Sequence, residues 1–200
     1  MYSGYKQKAL SSTVARAKQL IISKFDVIKG ELSDMSQYSD NPQDAAAQYL
    51  RGKACEIERN FKEADEWYLK SAEQGYSPAQ VRLGERCPGK AEYWYLKAAE
   101  QGDTTAMARL GWLYEHDGNY SGAFKWYLKG SELGDFRAMQ GLASLYDLGR
   151  GVEEDPFKAR DWLNRCYRMA VANGSTSQYE LQGIKDLLDL VNAHIVFWRR

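Results

Sequence analysis

Cysteine, histidine and proline are scarce in this 200-residue chain, and each shortage removes a class of protein. The three cysteines, Cys55, Cys87 and Cys166, are odd in number and form no C-x-x-C pair. That excludes a disulfide framework and points to a reduced, cytoplasmic compartment. The two histidines, His116 and His194, have neither the H-E-x-x-H nor the Cys/His spacing of a zinc site, so no metal or other cofactor is expected. No apolar run approaches the roughly 20 residues of a membrane span. The trio Leu20-Ile21-Ile22 is flanked by Lys18 and Lys24, so no signal-peptide core is expected either. Net charge is also missing, because 27 basic side chains balance 27 acidic ones. The chain as a whole therefore has no general attraction to nucleic acid or to a membrane. What remains is a globular composition in a chain long enough to bury a core without metal or disulfide staples.

The most informative feature present is a repeat. Trp67-Tyr68-Leu69-Lys70-Ser71-Ala72-Glu73-Gln74-Gly75 returns almost unchanged as Trp94-Tyr95-Leu96-Lys97-Ala98-Ala99-Glu100-Gln101-Gly102. It returns again from Trp126-Tyr127-Leu128-Lys129, and more loosely from Trp162-Leu163. An alanine stands three residues before each tryptophan, at Ala64, Ala91, Ala123 and Ala159. Successive tryptophans are 27, 32 and 36 residues apart, the period of a helical hairpin stacked on its copies. The first helix of each unit carries an apolar face such as Ala106, Leu110-Gly111 and Tyr114, or Ala138, Leu142-Ala143 and Tyr146. The small residue after the leucine admits the second helix closely. That second helix carries the Ala-x-x-Trp-Tyr face, expected to be core, and stops at a glycine. Asp103, Asp135, Ser77 before Pro78 and Asp155 before Pro156 are expected to cap the helices that follow.

These residues resemble the Sel-one-like repeat, a relative of the tetratricopeptide repeat. The fourth copy matches it best, with Leu142-Ala143, Tyr146, Gly149, Gly151-Val152, Asp155, Lys158-Ala159 and Trp162. The resemblance covers residues 43–174 in four units and implies an all-α fold, a right-handed α-α superhelix. Cys87-Pro88-Gly89 cuts the first helix of the second copy short, and Arg51 stands where the repeat expects leucine. Two flanks complete the reading. Residues 1–42 form a basic amphipathic helix, with Val14, Ile21, Phe25, Ile28, Leu32 and Met35 on one stripe, and a linker rich in Ser, Asp and Asn. This helix either caps the stack or docks a partner. Residues 175–200 form a C-terminal capping helix with Leu181, Ile184, Leu188, Val191, Ile195 and Trp198 on its stripe and Ser177-x-x-Glu180 as a capping box.

Nothing in the chain assembles catalytic chemistry, and no enzyme activity is expected. His116 and His194 read as solvated or packing residues, and the cysteines as core. Gly149-Arg150-Gly151 reads as a turn, because it lacks the Gly-Lys-Ser/Thr ending of a phosphate loop. The resemblance implies a protein-binding scaffold or inhibitor that uses the concave face lined by the first helices. It extends to adaptors and to bacterial immunity proteins that neutralise a toxin, and a hydrolase is the reading from another class. Once the packing positions are assigned, that face carries Tyr49, Lys53 and Glu56 in the first copy and Val81 and Glu85 in the second. It carries Ala108, Trp112 and Glu115 in the third, and Arg137, Gln140, Ser144 and Asp147 in the fourth. Glu56, Glu85, Glu115 and Asp147 would form an acidic row, with Tyr49 and Trp112 as aromatic anchors. Such a row suits a toxin or effector with a basic or amphipathic surface. The alternative is that Trp112 packs on a neighbouring helix and the acids are merely solvated.

Overall fold

A computed structural model describes residues 44–174 and 177–198. The N-terminal amphipathic stripe and its linker lie outside these residues. The chain divides between Trp67 and Tyr68 into two compact units.

The first unit contains helix α1, Ala45–Ile57, and the start of helix α2, Phe61–Glu73. Asp44 caps α1 by accepting the Ala46 N–H at 3.0 Å. Arg59, at φ 62°, turns the chain between the two helices. Asn60 Nδ2 donates to Glu63 at 2.6 Å across the start of α2. Arg51 places its guanidinium over the Trp67 ring, 5.1 Å from the centroid. A long cation at the slot expected for leucine thus lies over an aromatic face while its charge stays exposed.

The second unit runs α3 (Ser77–Arg86), a 3-10 turn (Pro88–Lys90), α4 (Ala91–Glu100), α5 (Thr104–His116) and α6 (Tyr120–Glu132). It continues with α7 (Phe136–Leu148), α8 (Pro156–Asn173) and α9 (Gln178–Trp198), and holds no strand among the described residues. Each helix packs on its neighbours in chain order. The first helices also touch one another, α5 on α7 and α7 on α9, so they stand side by side. Periodic start and stop signals produce this alternation. Asp103, Asp135 and Asp155 accept the N–H of Ala106, Ala138 and Lys158 at 2.9, 2.8 and 3.0 Å. Gly75, Gly102 and Gly134 take φ near +90° just past the second helices, where a side chain would be strained. Ser177 and Glu180 form a reciprocal box at the start of α9. The Ser177 N–H donates to Glu180 at 3.1 Å, and the Glu180 N–H donates to Ser177 Oγ at 3.2 Å.

The core forms where a glycine of a first helix receives a tyrosine ring of the second. A Cβ on Gly111 would stand 2.3 Å from the Tyr127 ring, and one on Gly84 would stand 2.4 Å from Tyr95. Around Tyr127 close Ala123, Ala138, Leu142 and Leu145, each fully buried.

Three expectations change. Tyrosine is buried in each Trp-Tyr pair, whereas tryptophan is buried in the second copy, at Trp94, and not in the others. Tyr68, Tyr95 and Tyr127 are buried, and Leu163 takes that place in the fourth copy. Trp67, Trp126 and Trp162 are only half-buried. One residue along a helix is a turn of about 100°, which moves the indole to the edge of the interface. There Lys129 covers Trp126 and Arg165 covers Trp162. Ser77 is not a cap either. Tyr76 holds that position without a side-chain bond, Ser77 begins the helix, and its hydroxyl donates to Asp103. Finally, Cys55 and Cys87 are half-buried rather than core, because Cys55 lies near the end of α1 and Cys87 ends the shortened α3. Cys166 is fully buried, and burial, with the charge of Asp135, pushes its thiol up to about 11.

Candidate functional site

Thr105, Ala108, Arg109 and Trp112 recur at helical spacing along one face of α5, and Arg137, Gln140 and Gly141 do so along the adjacent face of α7. With Tyr127 these residues line a cleft of about 300 Å³. Small residues supply its floor and long ones its walls. Ala108 is buried, while Trp112 leaves 57% of its surface exposed. The Trp112 indole lies beside the His116 ring, with centroids 5.5 Å apart, at the exposed end of α5. A wider cleft of about 600 Å³ adjoins it, lined by Asp135 and Phe136 of α7 and by Tyr179, Gly183, Ile184 and Leu187 of α9. Arg137 and Gln140 line both clefts.

The acids expected to form a row are engaged inside the chain. Glu85 receives Arg82 at 2.8 Å and Arg109 at 2.5 Å. Glu115 accepts the Tyr127 hydroxyl at 3.0 Å and has Arg150 at 3.9 Å. Burial, followed by the Glu115 charge, raises the Tyr127 phenol well above its ordinary range, so it stays a donor. Asp147 meets His194 Nδ1 at 2.8 Å, while the other ring nitrogen stands 3.4 Å from Glu154. His194 therefore ties α9 to α7 and to the loop before α8. These pairs spend the carboxylates on holding the helices in register.

The expected face is thus brought together in part. Ala108, Trp112, Arg137 and Gln140 share one cleft, and Ser144 is half-buried on α7. Val81 is buried in the core with Tyr95 and Leu110 instead of lining an open face, because the shortened α3 packs closely on α4. Tyr49, Lys53 and Glu56 are half-buried along α1, in the other compact unit. Sequence reasoning missed Arg109, although it lies four residues after Thr105 and three before Trp112 on the same stripe. It also missed Tyr179, Gly183 and Leu187, which belong to a second apolar stripe of α9. Arg137 has no hydrogen bond or ion pair among the described residues, and its charge helps lower the Glu180 carboxyl after the Ser177 hydrogen bonds. No group of His, Cys, Asp and Glu that could hold a metal occurs among the described residues. No helix among them is long and apolar enough to cross a membrane.

Comparison with known proteins identifies the repeats. The Sel1 repeat model matches residues 45–76, 88–103, 104–135 and 137–175. A Sel1 repeat protein from Oxalobacter formigenes superposes with a TM-score of 0.63 at 31% identity, over 74% of this chain and 66% of that one. A protective antigen of uropathogenic Escherichia coli strains, which displays an SLR fold, superposes with a TM-score of 0.59 at 30% identity. That match covers 64% of this chain and 31% of the antigen, so the chain spans under a third of its length. No curated protein matches the chain in sequence. The matched repeats take up more than half of the residues, and their hairpins are those observed here. The chain belongs to the Sel1 repeat family.

Proposed function

We propose that the chain is a non-catalytic binder that holds a protein partner along the first helices of its repeats, with the α5/α7 cleft at the centre. The observation that carries this reading is Trp112, a large aromatic left 57% exposed over a cleft with a small-residue floor and arginine walls. Aromatic and arginine side chains of that kind dominate interface energetics. Sel1 repeat proteins generally mediate protein–protein interaction, which favours the same use of this surface. With Glu85, Glu115 and Asp147 engaged internally, recognition falls to Trp112, Arg137 and Gln140. The partner of this reading offers an apolar group for the indole and an acceptor for the guanidinium and amide.

Quantitative affinity capture with the full chain tests it. A protein recovered by wild type and by the Lys125→Glu control on α6 should fall at least about tenfold with Trp112→Ala plus Arg137→Glu. Equal recovery by all three overturns the reading. The captured partner should keep its intact mass after prolonged incubation, and a covalent change in it would contradict the non-catalytic assignment. The finer roles separate at this point. An immunity protein silences the activity of a bound toxin or effector, whereas an adaptor leaves its partner active and joins it to another.

A further inference from the structure

The α5/α7 cleft carries charge of one sign. Two guanidiniums, from Arg109 and Arg137, stand among its lining residues, and no carboxylate does. Neighbouring acids leave that charge unbalanced. Glu85 receives Arg82 and Arg109 together, so one negative charge faces two positive ones. Arg137 is exposed and has no carboxylate within ion-pair distance among the described residues. Hydrogen-bonding capacity is unmet on the same walls. Arg109 Nε is buried and meets no acceptor among the described residues, and Glu85 takes only one of the other guanidinium nitrogens. The Gln140 amide and the Thr105 hydroxyl make no side-chain hydrogen bond among the described residues. A guanidinium has five N–H donors, and a buried donor left unmet costs free energy that an incoming acceptor recovers. Beyond Arg137 the field reverses. Asp135, Glu180 and Asp186 line the wider cleft, which repels an anion there and directs it to the Arg109 side.

We infer that the α5/α7 cleft receives an Asp or Glu side chain from a short segment of the protein partner, with an apolar side chain of the same segment on the Trp112 indole. This rests on the cleft being the binding surface, and it fixes the chemistry that the surface selects. The carboxylate accepts from the Arg109 and Arg137 guanidiniums, the charge-assisted pairing to which a planar fork of donors is matched. Gln140 and Thr105 lie beside them with donors for the remaining lone pairs. At about 300 Å³ the cleft is at the lower end of the range for ligand pockets, a size for a side chain or two and not for a whole helix. Its preference is opposite in sign to that of an acidic row, because the acids of that row are engaged inside the chain.

Selection of short random peptides displayed against the purified full chain tests it. Enriched peptides should carry Asp or Glu close to Trp, Phe or Leu. One of them is then synthesised with an amidated C-terminus, so that only a side chain supplies the carboxylate. Changing its acid to the corresponding amide should weaken binding at least about tenfold, and the acidic peptide should bind less well as salt is raised. Arg137→Gln, at an exposed position, should weaken the acidic peptide about fivefold or more and the amide peptide little, with helix content unchanged. Lys125→Glu on α6 should leave both unchanged. A library that yields no binder, or an acidic peptide whose acid and Arg137 show no coupling, overturns the inference. Neutral or basic peptides that lose binding with Trp112→Ala also overturn it, while the cleft stands as the binding surface. Peptides indifferent to both Trp112→Ala and Arg137→Gln overturn the inference and the binding role of the cleft together.

Discussion

Leu145 of α7 and Leu187 of α9 each stand ten residues after the residue that caps their helix, Asp135 and Ser177, yet Leu145 is fully buried and Leu187 is 38% exposed. Seven residues after the same caps, Leu142 and Ile184 are both buried. The difference lies in the neighbours. Helix α7 has α6 on one side and α8 on the other, and it buries Leu142 and Leu145 in one cluster and Met139 and Ala143 in others. Helix α9 packs chiefly on α8, with a lesser contact to α7, and buries a single stripe. In a repeat stack, burial is assigned by which faces have a neighbour, and hydrophobicity alone does not decide it.

That comparison can be broken most directly by truncation. Leu142→Ala should cost about 2–5 kcal/mol of unfolding free energy, while Leu187→Ala should cost well under half as much, read from urea midpoints. Equal losses would mean that α9 is covered as fully as α7. Next in size is the aromatic pair. Tyr127→Ala removes a buried ring and its bond to Glu115, and should cost about 3–5 kcal/mol. Trp126→Ala, at the half-buried neighbour, should cost about 1–2 kcal/mol. The capping box of α9 comes third. Ser177→Ala should lose about 1 kcal/mol, whereas Ser77→Ala removes no cap and should lose less.

The smallest effect is one of pH. The Lys158 backbone N–H holds the Asp155 carboxyl below its ordinary range in the folded chain. A depressed folded value means that its contribution is fully present above the ordinary carboxylate range and is lost as pH falls through the lowered value. Asp155→Asn should therefore remove part of the acid-side slope of stability and leave the neutral and alkaline side parallel to wild type, as followed by thermal melts across pH.

Much of the fold was legible because capping and stop signals act locally. Asp103, Asp135 and Asp155 need only their own backbone to define a helix start. The all-α hairpin repeat and the small residue that admits the second helix follow from spacings of three and four. The burial of Tyr127 over Trp126 was not legible, because a shift of one residue within an aromatic pair depends on where the next helix lies. The cleft was legible in part. Trp112, Arg137 and Gln140 fall on one face by periodicity. The consumption of Glu85, Glu115 and Asp147 by Arg109, Tyr127 and His194 joins residues 12 to 47 positions apart, and no local spacing announces it. The second stripe of α9 was hidden for a related reason. One apolar stripe already accounted for a capping helix, and Tyr179, Leu187, Leu190 and Phe197 stood apart from it only once their exposure was known.

The most direct test of the central claim, that the shared face of the first helices is the binding surface, is hydrogen–deuterium exchange on the complex with the captured partner. The account predicts slowed exchange in peptides covering Thr104–His116 and Phe136–Leu148, with little change in α6. Protection confined to Ala45–Ile57, or to Tyr120–Glu132 with the first helices unchanged, would contradict it.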